Sequence, residues 1–418
     1  MKEGKKAPKL RFKGFTDDWE QLKLGDVADR VTRKNKGTVS ELPLTISAQD
    51  GLISQDEFFN KKVASKDLSS YLLLHHGDFA YNKSYSNGYP FGTIKRLEKY
   101  PQGVVSSLYI AFKPNSRISS DFMAQYYESN NWHKEIYKCA AEGARNHGLL
   151  NVPPSDFFAT DLNIPIKKSE QLKIGRLLNA VDHTITLHEE KQRQLERLKK
   201  ALLEKMFRDE TGYPILRFKG FNNVWKQRKL GEVSSLRGRI GFRGYKQTDL
   251  VEKGKGAITF SPSDIDDNGN ISFLNNKYIS IKKYEESPEI QVNTGDILFT
   301  KTASIGKIGY VKKLNEKATI NPQIALLTPK IDFNGYFIFL SIRNDAFMRK
   351  VQKIVGGSSV PTMSQEKLKN LTINFPSSIE QHKLANIFLK IDGLITLHQH
   401  KIDNLKHLKR ALLQKMFV

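Results

Sequence analysis

The chain has 418 residues, more than one compact domain usually holds, so we expect at least two domains. Hydrophobic residues make up 39% and charged residues 27%, which is enough for ordinary globular cores and excludes a largely disordered chain. Lys and Arg outnumber Asp and Glu by 67 to 44, and the net charge of +23 favours a polyanionic partner, with nucleic acid the first candidate.

The single cysteine, Cys139, excludes an intramolecular disulfide and a Cys-rich zinc site, and it fits a reducing cytosol. The N-terminal residues are charged and lack the apolar run of a signal peptide. The apolar runs of the chain are too short to span a bilayer. We therefore expect a cytoplasmic protein that does not enter a membrane.

An internal repeat organises the chain. Residues 8–15 read PKLRFKGF and residues 214–221 read PILRFKGF, and each is followed by a tryptophan, Trp19 or Trp225. GDFAYNK at residues 77–83 returns as GDILFTK at 295–301, and ALLEKMF at 201–207 returns as ALLQKMF at 411–417. A repeat of this length is the size of a domain, so it predicts two units that share a scaffold and differ in their loops.

The predicted elements form strand-rich regions that alternate with long helices. Residues 1–168 contain short β-branched and aromatic runs, such as 104–112, broken by Gly, Pro, Asn and Asp, which predicts strands in a mixed α/β domain. Residues 169–209 hold a long helix, because 170–207 lack proline and are rich in Leu, Lys, Glu and Gln. Residues 210–378 form a second such domain, with strand runs at 297–300 and 307–311. Residues 379–418 hold the second helix. The predicted fold class is α+β or mixed α/β, with two similar domains in tandem, each followed by a long helix.

Apolar residues in both helices recur at steps of three and four, which indicates a coiled coil. The predicted seams consist of Val181, Ile185, His188, Leu195, Leu198, Leu202 and Met206 in the first helix, and Ile391, Ile395, His398, Ile402, Leu405, Leu408, Leu412 and Met416 in the second. Mutual packing buries both seams best, so we predict that the helices pair with each other. We interpret the two seam histidines as residues that fix register and pairing.

The sequence shows no convincing catalytic constellation. The pair Gly306-Lys307 lacks the preceding glycine and the following hydroxyl residue of an ATP-binding phosphate loop. Residues 151–154, NVPP, only superficially resemble the Asn-Pro-Pro-aromatic motif with which amino-methyltransferases hold a flipped base, because valine interrupts the motif. We predict that the chain has no catalytic residues.

Metal binding is not expected either. The best ligand candidates are the adjacent His75 and His76, and the pair His183 and His188 beside two glutamates, but no cysteine or further histidine completes either set. Short acidic and basic combinations, such as residues 366–369, recur by chance in so charged a chain, and we interpret them as solvated surface.

Three polar stretches in each unit have the composition of DNA-reading loops, with Lys and Arg for phosphates and Asn, Ser, Thr and aromatic groups for bases. They lie at 30–36, 83–88 and 143–148 in the first unit, and at 237–243, 301–307 and 356–362 in the second. Their candidate DNA-binding residues are Arg33, Lys34, Lys36, Lys83, Tyr85, Asn87, Arg145, Asn146, His147, Arg237, Arg239, Arg243, Lys301, Thr302, Ser304, Lys307, Ser358, Ser359 and Thr362. The stretches correspond while their side chains differ, as expected of two readers of different sequences. For any single residue, a plain surface turn is an equally good interpretation.

The duplicated opening motif with its tryptophan, together with a long helix that ends in LLxKMF, resembles the specificity subunit of type I restriction–modification systems over essentially the whole chain. The resemblance implies two target-recognition domains that each bind one half of a bipartite, asymmetric site in double-stranded DNA. It also implies that the helices form an antiparallel coiled coil that sets the half-site separation. Because the chain stops at Val418, we expect closure of the structure to rely on the helices and residues 1–15.

The resemblance further implies a non-catalytic subunit in a bacterial or archaeal cytoplasm. Two modification subunits would dock on the helices and use S-adenosylmethionine to methylate adenine. Two restriction subunits would supply translocation and cleavage with ATP and Mg. The chain itself would bind none of these cofactors. Two alternatives stay open: a nuclease or methyltransferase with an unrecognised site, and a coiled-coil scaffold that binds DNA or RNA without sequence preference.

Overall fold

The computed structural model describes residues 7–61, 63–65, 67–84, 88–140, 150–207, 213–239, 244–302, 304–355 and 362–418. The chain divides into two compact units, Met1–Glu190 with Gln399–Val418, and Lys191–His398. Each unit contains one globular domain and part of each long helix, so the units do not follow the chain order. The predicted domain boundaries at 168, 209 and 378 stay predictions.

The long helices are α6 and α12, which span Lys168–Phe207 and Ser378–Met416. The elements of the first domain are β1 Glu20–Lys23, α1 Leu24–Val27, β2 Ala28–Arg30, β3 Leu44–Ser47, β4 Gly51–Ser54, α2 Gln55–Phe59, β5 Leu72–His75, β6 Phe79–Asn82, β7 Thr93–Arg96, β8 Gln102–Val105, β9 Ile110–Pro114, α3 Ser120–Glu128, α4 His133–Ala140, α5 Pro154–Phe158 and β10 Asp161–Ile164. The elements of the second domain are β11 Lys226–Lys229, α7 Leu230–Val233, β12 Ser234–Gly238, β13 Leu250–Val251, β14 Ala257–Phe260, β15 Lys277–Ile279, α8 Ile281–Glu285, β16 Ile297–Thr300, β17 Ile308–Tyr310, β18 Ala318–Ile320, β19 Ile324–Pro329, α9 Gly335–Arg343, α10 Asp345–Val355, α11 Gln365–Asn370 and β20 Thr372–Phe375. Short 3₁₀ turns cover Gln247–Asp249, Pro262–Asp264 and Pro288–Ile290.

Each domain contains a four-stranded antiparallel sheet, and the two sheets have equivalent strand orders. The strand order is β2-β9-β6-β7 in the first domain and β12-β19-β16-β17 in the second. In each domain the first strand also pairs with the last, β1 with β10 and β11 with β20. This agreement confirms the mixed α/β fold with two similar domains in tandem.

The domains differ in the strands added to this sheet. The second domain has a four-stranded sheet, β13-β15-β14-β18, in which β14 and β18 are parallel. Among the described residues of the first domain, the additional strands form the pairs β3–β4 and β5–β8. The run at 104–112, predicted as strand, is divided between β8 and β9 by a turn in which Tyr109 N donates to Ser106 O at 3.0 Å.

The two long helices pair in each unit, as predicted. In the first unit, Asp182 and Glu189 of α6 form ion pairs of 2.7 Å with Lys409 and Lys406 of α12. Residue numbers rise along α6 while those of the partners fall along α12, so the helices are antiparallel there. In the second unit, Lys199 of α6 bonds Asp392 of α12 at 2.6 Å.

The predicted seam is only partly correct. Val181, Ile185 and Ile402 form a small buried cluster in the first unit, but Leu198 and Leu408 are each 48% exposed. The residues next to these leucines, Lys199 and Lys409, turn inward to meet aspartates of the facing helix, and this rotation carries the leucines out to solvent.

The repeated opening motif holds the ends of both helices. In the first unit, Arg11 makes a bidentate bond of 2.6 and 2.9 Å to the fully buried Glu170, in the first turn of α6. Its neighbour Leu10 donates its backbone N–H to Lys415 O near the end of α12, at 2.8 Å. The start of one long helix and the end of the other therefore meet at one motif.

The second copy of the motif makes the same contacts with the helices exchanged. Arg217 bonds the buried Glu380 of α12 at 2.7 and 2.8 Å, and Leu216 N donates to Lys205 O near the end of α6 at 3.0 Å. Each copy of the motif thus bonds the start of one long helix and the end of the other.

The final phenylalanine of each helix completes an aromatic core. Phe417, at the end of α12, lies 5.2 Å from Phe122 and 6.4 Å from Trp19 between ring centroids. In the second unit, Phe207 of α6 lies 5.4 Å from Phe337 and 6.2 Å from Trp225. The LLxKMF motif therefore belongs to the domain cores as much as to the helices.

We expect Phe417→Ala to destabilise the first unit and Phe207→Ala the second, each by about 3–5 kcal/mol, because each substitution leaves a cavity beside a buried tryptophan. Hydrogen exchange followed by mass spectrometry of the full chain should show faster exchange around Trp19 for the first variant and around Trp225 for the second. The control is Tyr137→Ala, which removes an aromatic side chain that is 64% exposed. Exchange equal to that of the control would contradict the assignment of Phe417 and Phe207 to the domain cores.

Candidate nucleic-acid interface

Polar stretches predicted in the second unit meet at the end of β16. Lys301 follows this strand, and its carbonyl accepts a hydrogen bond of 2.8 Å from Met363 N. The next residue, Thr302, forms an isolated β-bridge with Thr362. The hairpin after β16 and the residues that precede α11 are therefore joined by backbone pairing.

The remaining stretch of this unit approaches the same point through a glycine. A Cβ atom built on Gly238, the last residue of β12, would lie 2.4 Å from Nε2 of Gln365 and 3.5 Å from Nζ of Lys301. A side chain at this position would displace the Gln365 amide. Glycine thus lets a lysine and a glutamine crowd against the end of β12.

The Lys301 ammonium group is unusual in its surroundings. Burial lowers the pKa of Lys301 below its ordinary value, and among the described residues no carboxylate lies within ion-pair distance. A half-buried cation without a counter-ion is costly. An anion from another molecule would remove this cost, which makes the position suitable for a phosphate.

Lys301 begins the hairpin between β16 and β17. The hairpin closes through Thr300 N to Lys307 O at 2.9 Å and Gly306 N to Thr300 O at 3.2 Å, and Gly306 has φ of +95°. Ser304 is exposed at this hairpin. Lys307 turns away from the tip, since its Nζ donates to Ile265 O at 3.4 Å.

Two arginines predicted as DNA readers are part of the scaffold. Arg239 is only 5% exposed, and it donates to Ile320 O at 3.0 Å and to Thr319 Oγ1 at 3.1 Å. It was expected on a surface loop, but the structure places it in the interior. Arg237 on β12 donates to Thr328 Oγ1 at 2.6 Å, and its Nε is buried without a partner among the described residues.

The first unit has a counterpart of Lys301. Lys83 follows β6, and its carbonyl accepts from Leu150 N at 3.1 Å. Its Nζ donates to Val152 O at 3.3 Å, and burial lowers the pKa of Lys83 below its ordinary value. As with Lys301, the described residues include no carboxylate paired with this lysine. The two copies of the GDxxxxK motif therefore present the same half-buried ammonium group.

The other described candidates of the first unit lie along β5. Arg33 forms an ion pair with the buried Asp78, and Lys34 donates from Nζ to Ser70 O at 2.7 Å. Lys36 is exposed at a turn in which Thr38 N donates to Asn35 O at 3.1 Å. None of the contacts among the described residues brings residues 30–36 to Lys83, so these stretches do not converge as those of the second unit do.

Several predicted residues lie outside the described residues, and their DNA-binding role stays a prediction. They are Tyr85, Asn87, Arg145, Asn146, His147, Arg243, Ser358 and Ser359.

The sequence interpretation missed Gln365 and Gln323. Gln365 begins α11 and faces Gly238, and Gln323 accepts at its carbonyl from Lys301 N at 2.8 Å. Gln365 lies in a short charged helix that resembled solvated surface, and only the glycine of another strand brings it to the lysine. No local signal could have identified it.

Among the described residues, no group of three or more His, Cys, Asp or Glu side chains could hold a metal ion. No helix in the described part of the chain is long and apolar enough to cross a membrane.

Part of the chain matches a known family. Residues 239–407 match the family described as the type I restriction modification DNA specificity domain, which covers most of the second repeat. The MjaVIII type I specificity subunit of Methanocaldococcus jannaschii is 22% identical over 95% of this chain and 91% of its own length. The HindI type I specificity subunit of Haemophilus influenzae is 25% identical over 46% of this chain and 41% of its own length.

Solved structures agree in fold. The S subunit of the type I restriction–modification system of M. genitalium has a TM-score of 0.62 at 15% identity and covers 99% of both chains. A chain from a study of type I complex assembly and conformational transition has a TM-score of 0.51 at 18% identity, over 96% of this chain and 97% of its own. The relatives are named as specificity subunits, which confirms the prediction of a specificity component rather than a catalytic one. The resemblance carried by the repeated motifs is thus confirmed: residues 239–407 match the model of the type I restriction modification DNA specificity domain, and nearly the whole chain is similar to a type I specificity subunit.

Proposed function

We propose that the chain recognises a bipartite, asymmetric DNA site, with one domain reading each half. The observation that carries this proposal is the convergence of polar stretches on a half-buried lysine in the second unit, which no carboxylate of the described residues pairs, and the recurrence of that lysine in the first unit. We infer that Lys83 and Lys301 bind one DNA phosphate each. Phosphate contacts position a protein on the duplex without regard to sequence, which explains why this residue type is the same in both units.

Base reading then falls to polar groups near the lysines that differ between the units. In the second unit these are Gln365, Thr302 and Thr362, and glutamine in particular can form a bidentate bond to adenine. In the first unit, the backbone carbonyl of Val152 accepts a hydrogen bond from Lys83 Nζ. Two domains with the same phosphate contact and different neighbours suit unlike half-sites.

We further propose that the paired helices set the distance between half-sites. Each helix contributes to both units, so a change in helix length alters the separation along the pair. At about 1.5 Å per residue, a helix of this length is roughly 60 Å long, which accommodates half-sites about one DNA turn, or 34 Å, apart.

The helix pair also offers a docking surface for two modification subunits. Both units expose leucines at equivalent positions of the helices, Leu187 and Leu408 in the first unit and Leu198 and Leu397 in the second, all 47–52% exposed. In the second unit, Leu389 and Leu394 are exposed as well. Exposed apolar residues clustered on a helix pair mark interaction sites. The duplication of this feature supports two copies of the partner.

In this assembly, the other subunits would supply the chemistry in the cytoplasm of a bacterial or archaeal cell. The modification subunits would use S-adenosylmethionine to methylate adenine, and two restriction subunits would use ATP and Mg for translocation and cleavage. This chain would contribute recognition and position, and would bind none of these cofactors.

The proposal is tested by methylome sequencing of a host that expresses the chain with matching modification subunits, beside the same host without the chain. We expect a new bipartite, asymmetric motif that contains methylated adenine. No new motif, with the modification subunits folded and bound, would favour a scaffold that binds nucleic acid without sequence preference. Methylation or cleavage by the purified chain alone would favour an enzyme.

The phosphate contacts are tested by reciprocal substitutions. We expect Lys301→Met with Ser304→Ala to weaken DNA binding by the methyltransferase complex roughly tenfold, because a charge-assisted hydrogen bond is lost. Lys83→Met is the matched variant in the first unit. Ethylation-interference footprints should lose contacts in one half-site for the first variant and in the other for the second. Equal loss in both half-sites would show that the domains do not act as separate readers.

The spacing role is tested by shortening the helices. Removing residues 191–194 from α6 and 398–401 from α12 takes about 6 Å from the pair, close to two base pairs. We expect methylome sequencing to show both half-sites unchanged and the permitted spacer shortened by about two base pairs. An unchanged spacer would refute the idea that the helices determine the spacing.

A further inference from the structure

In each unit, one aspartate joins the two long helices. In the first unit, Asp182 of α6 bonds Lys409 of α12 at 2.7 Å. In the second unit, Asp392 of α12 bonds Lys199 of α6 at 2.6 Å. The aspartates occupy equivalent places in VDHTITLH and IDGLITLH, and the lysines in LKKALLEKMF and LKRALLQKMF. The contact is thus made twice, with the helices exchanged.

The same carboxylate also holds the globular domain of its unit. Asp182 Oδ2 accepts a hydrogen bond of 2.8 Å from Gln125 Nε2, on α3. Asp392 Oδ2 accepts a hydrogen bond from the hydroxyl of Tyr336, on α9, and lies 3.4 Å from Nζ of Lys312. Two helices and one domain therefore converge on a single acceptor in each unit.

The contacts of Asp392 are sheltered from water, whereas in the first unit Lys409 is 16% and Asp182 is 38% exposed. The side chains of Lys199 and Asp392 are 14% and 11% exposed, and Tyr336 is almost fully buried. Burial by itself raises the pKa of Asp392, but Lys199, the Tyr336 hydroxyl and Lys312 together hold that pKa below its ordinary value. The carboxylate is therefore ionised at neutral pH and needs all its partners in place, because an unpaired buried charge is costly.

We propose that Asp182 and Asp392 are positioning residues. Each fixes the register of the two long helices and the position of one recognition domain against them. Together they restrict recognition to a single half-site spacing. This inference rests on the proposed function. Polar groups at a helix interface define register where apolar contacts tolerate slippage. Here Leu198 and Leu408, which fit the apolar spacing, are exposed beside the two lysines, and the domain bonds the same aspartates that join the helices.

A nearby ion pair provides a matched control. Glu189 and Lys406 also join α6 to α12, at 2.7 Å, but their side chains are 38% and 51% exposed. At the equivalent positions of the repeat stand Gln399 and Glu196, so this pair is not duplicated. Exposed pairs of this kind contribute little. Lys406→Met therefore removes an interhelical ion pair from outside the proposed lock.

The experiment uses the chain assembled with its modification subunits and a plasmid library in which the spacer between the two half-sites varies by single base pairs. Tyr336→Phe removes the hydroxyl bond from the domain to Asp392 and leaves the longer contact with Lys312, and Lys199→Met removes only the bond between the helices. We expect both variants to raise methylation at neighbouring spacer lengths about tenfold relative to the preferred one, since each loses a buried, charge-assisted contact. Gln125→Leu should act in the same way through the first unit. Lys406→Met should leave the spacer profile unchanged.

A spacer profile as sharp as that of the wild type in Tyr336→Phe and Lys199→Met would overturn the proposal, even with a lowered melting temperature, because stability alone does not select a spacing. Loss of methylation at every spacer length from an assembled complex would also count against it. Asp392→Asn, which keeps an acceptor for Tyr336, should relax the profile less than Lys199→Met does, and the reverse order would contradict the shared-acceptor geometry. A wild-type complex without any bipartite motif would overturn the proposed function itself, and this inference with it.

Discussion

Two buried glutamates, Glu170 and Glu380, are the constraint on which the rest of the structure depends. Each lies in the first turn of a long helix and is neutralised by an arginine of the repeated motif, Arg11 or Arg217. Removing one partner from such a pair costs about 3–5 kcal/mol, because a buried charge is left uncompensated. Since the residue before each arginine bonds the last turns of the other helix, the motif brings opposite helix ends to one place in each unit.

This arrangement explains why the scaffold repeats while the loops do not. The sheets β2-β9-β6-β7 and β12-β19-β16-β17 both have to support a helix start, a helix end and a tryptophan, so their strand order is fixed. The residues that follow β6 and β16 do not take part in these contacts with the helix ends. They share a half-buried lysine and differ around it, so the two domains can differ there, as the proposed reading of unlike half-sites requires, while the contacts at the helix ends stay the same.

Local sequence patterns predicted the elements that depend mainly on the conformational preferences of neighbouring residues. The absence of proline predicted both long helices to within about two residues, and β-branched residues predicted β16. Side chains whose partners are remote were placed wrongly or missed. Arg239 is buried with its acceptors on β18, about eighty residues away, and Gln365 packs against Gly238 near Lys301 only because Gly238 has no side chain. Leu198 matched the seam spacing, but the aspartate that draws Lys199 inward belongs to the other helix.

The two long helices are joined by apolar contacts and by ion pairs. In the first unit, an aromatic core surrounds Phe417 beyond α12, and a small cluster between the helices consists of Val181, Ile185 and Ile402 with the partly buried Leu405 and Leu412. A leucine seam would hold the helices more strongly, but it would leave little apolar surface for partners. Ion pairs define the register at small apolar cost, and the leucines that they displace are exposed in matching positions in both units. The same ion pairs that join the helices therefore leave leucines exposed at the surface that we propose for docking.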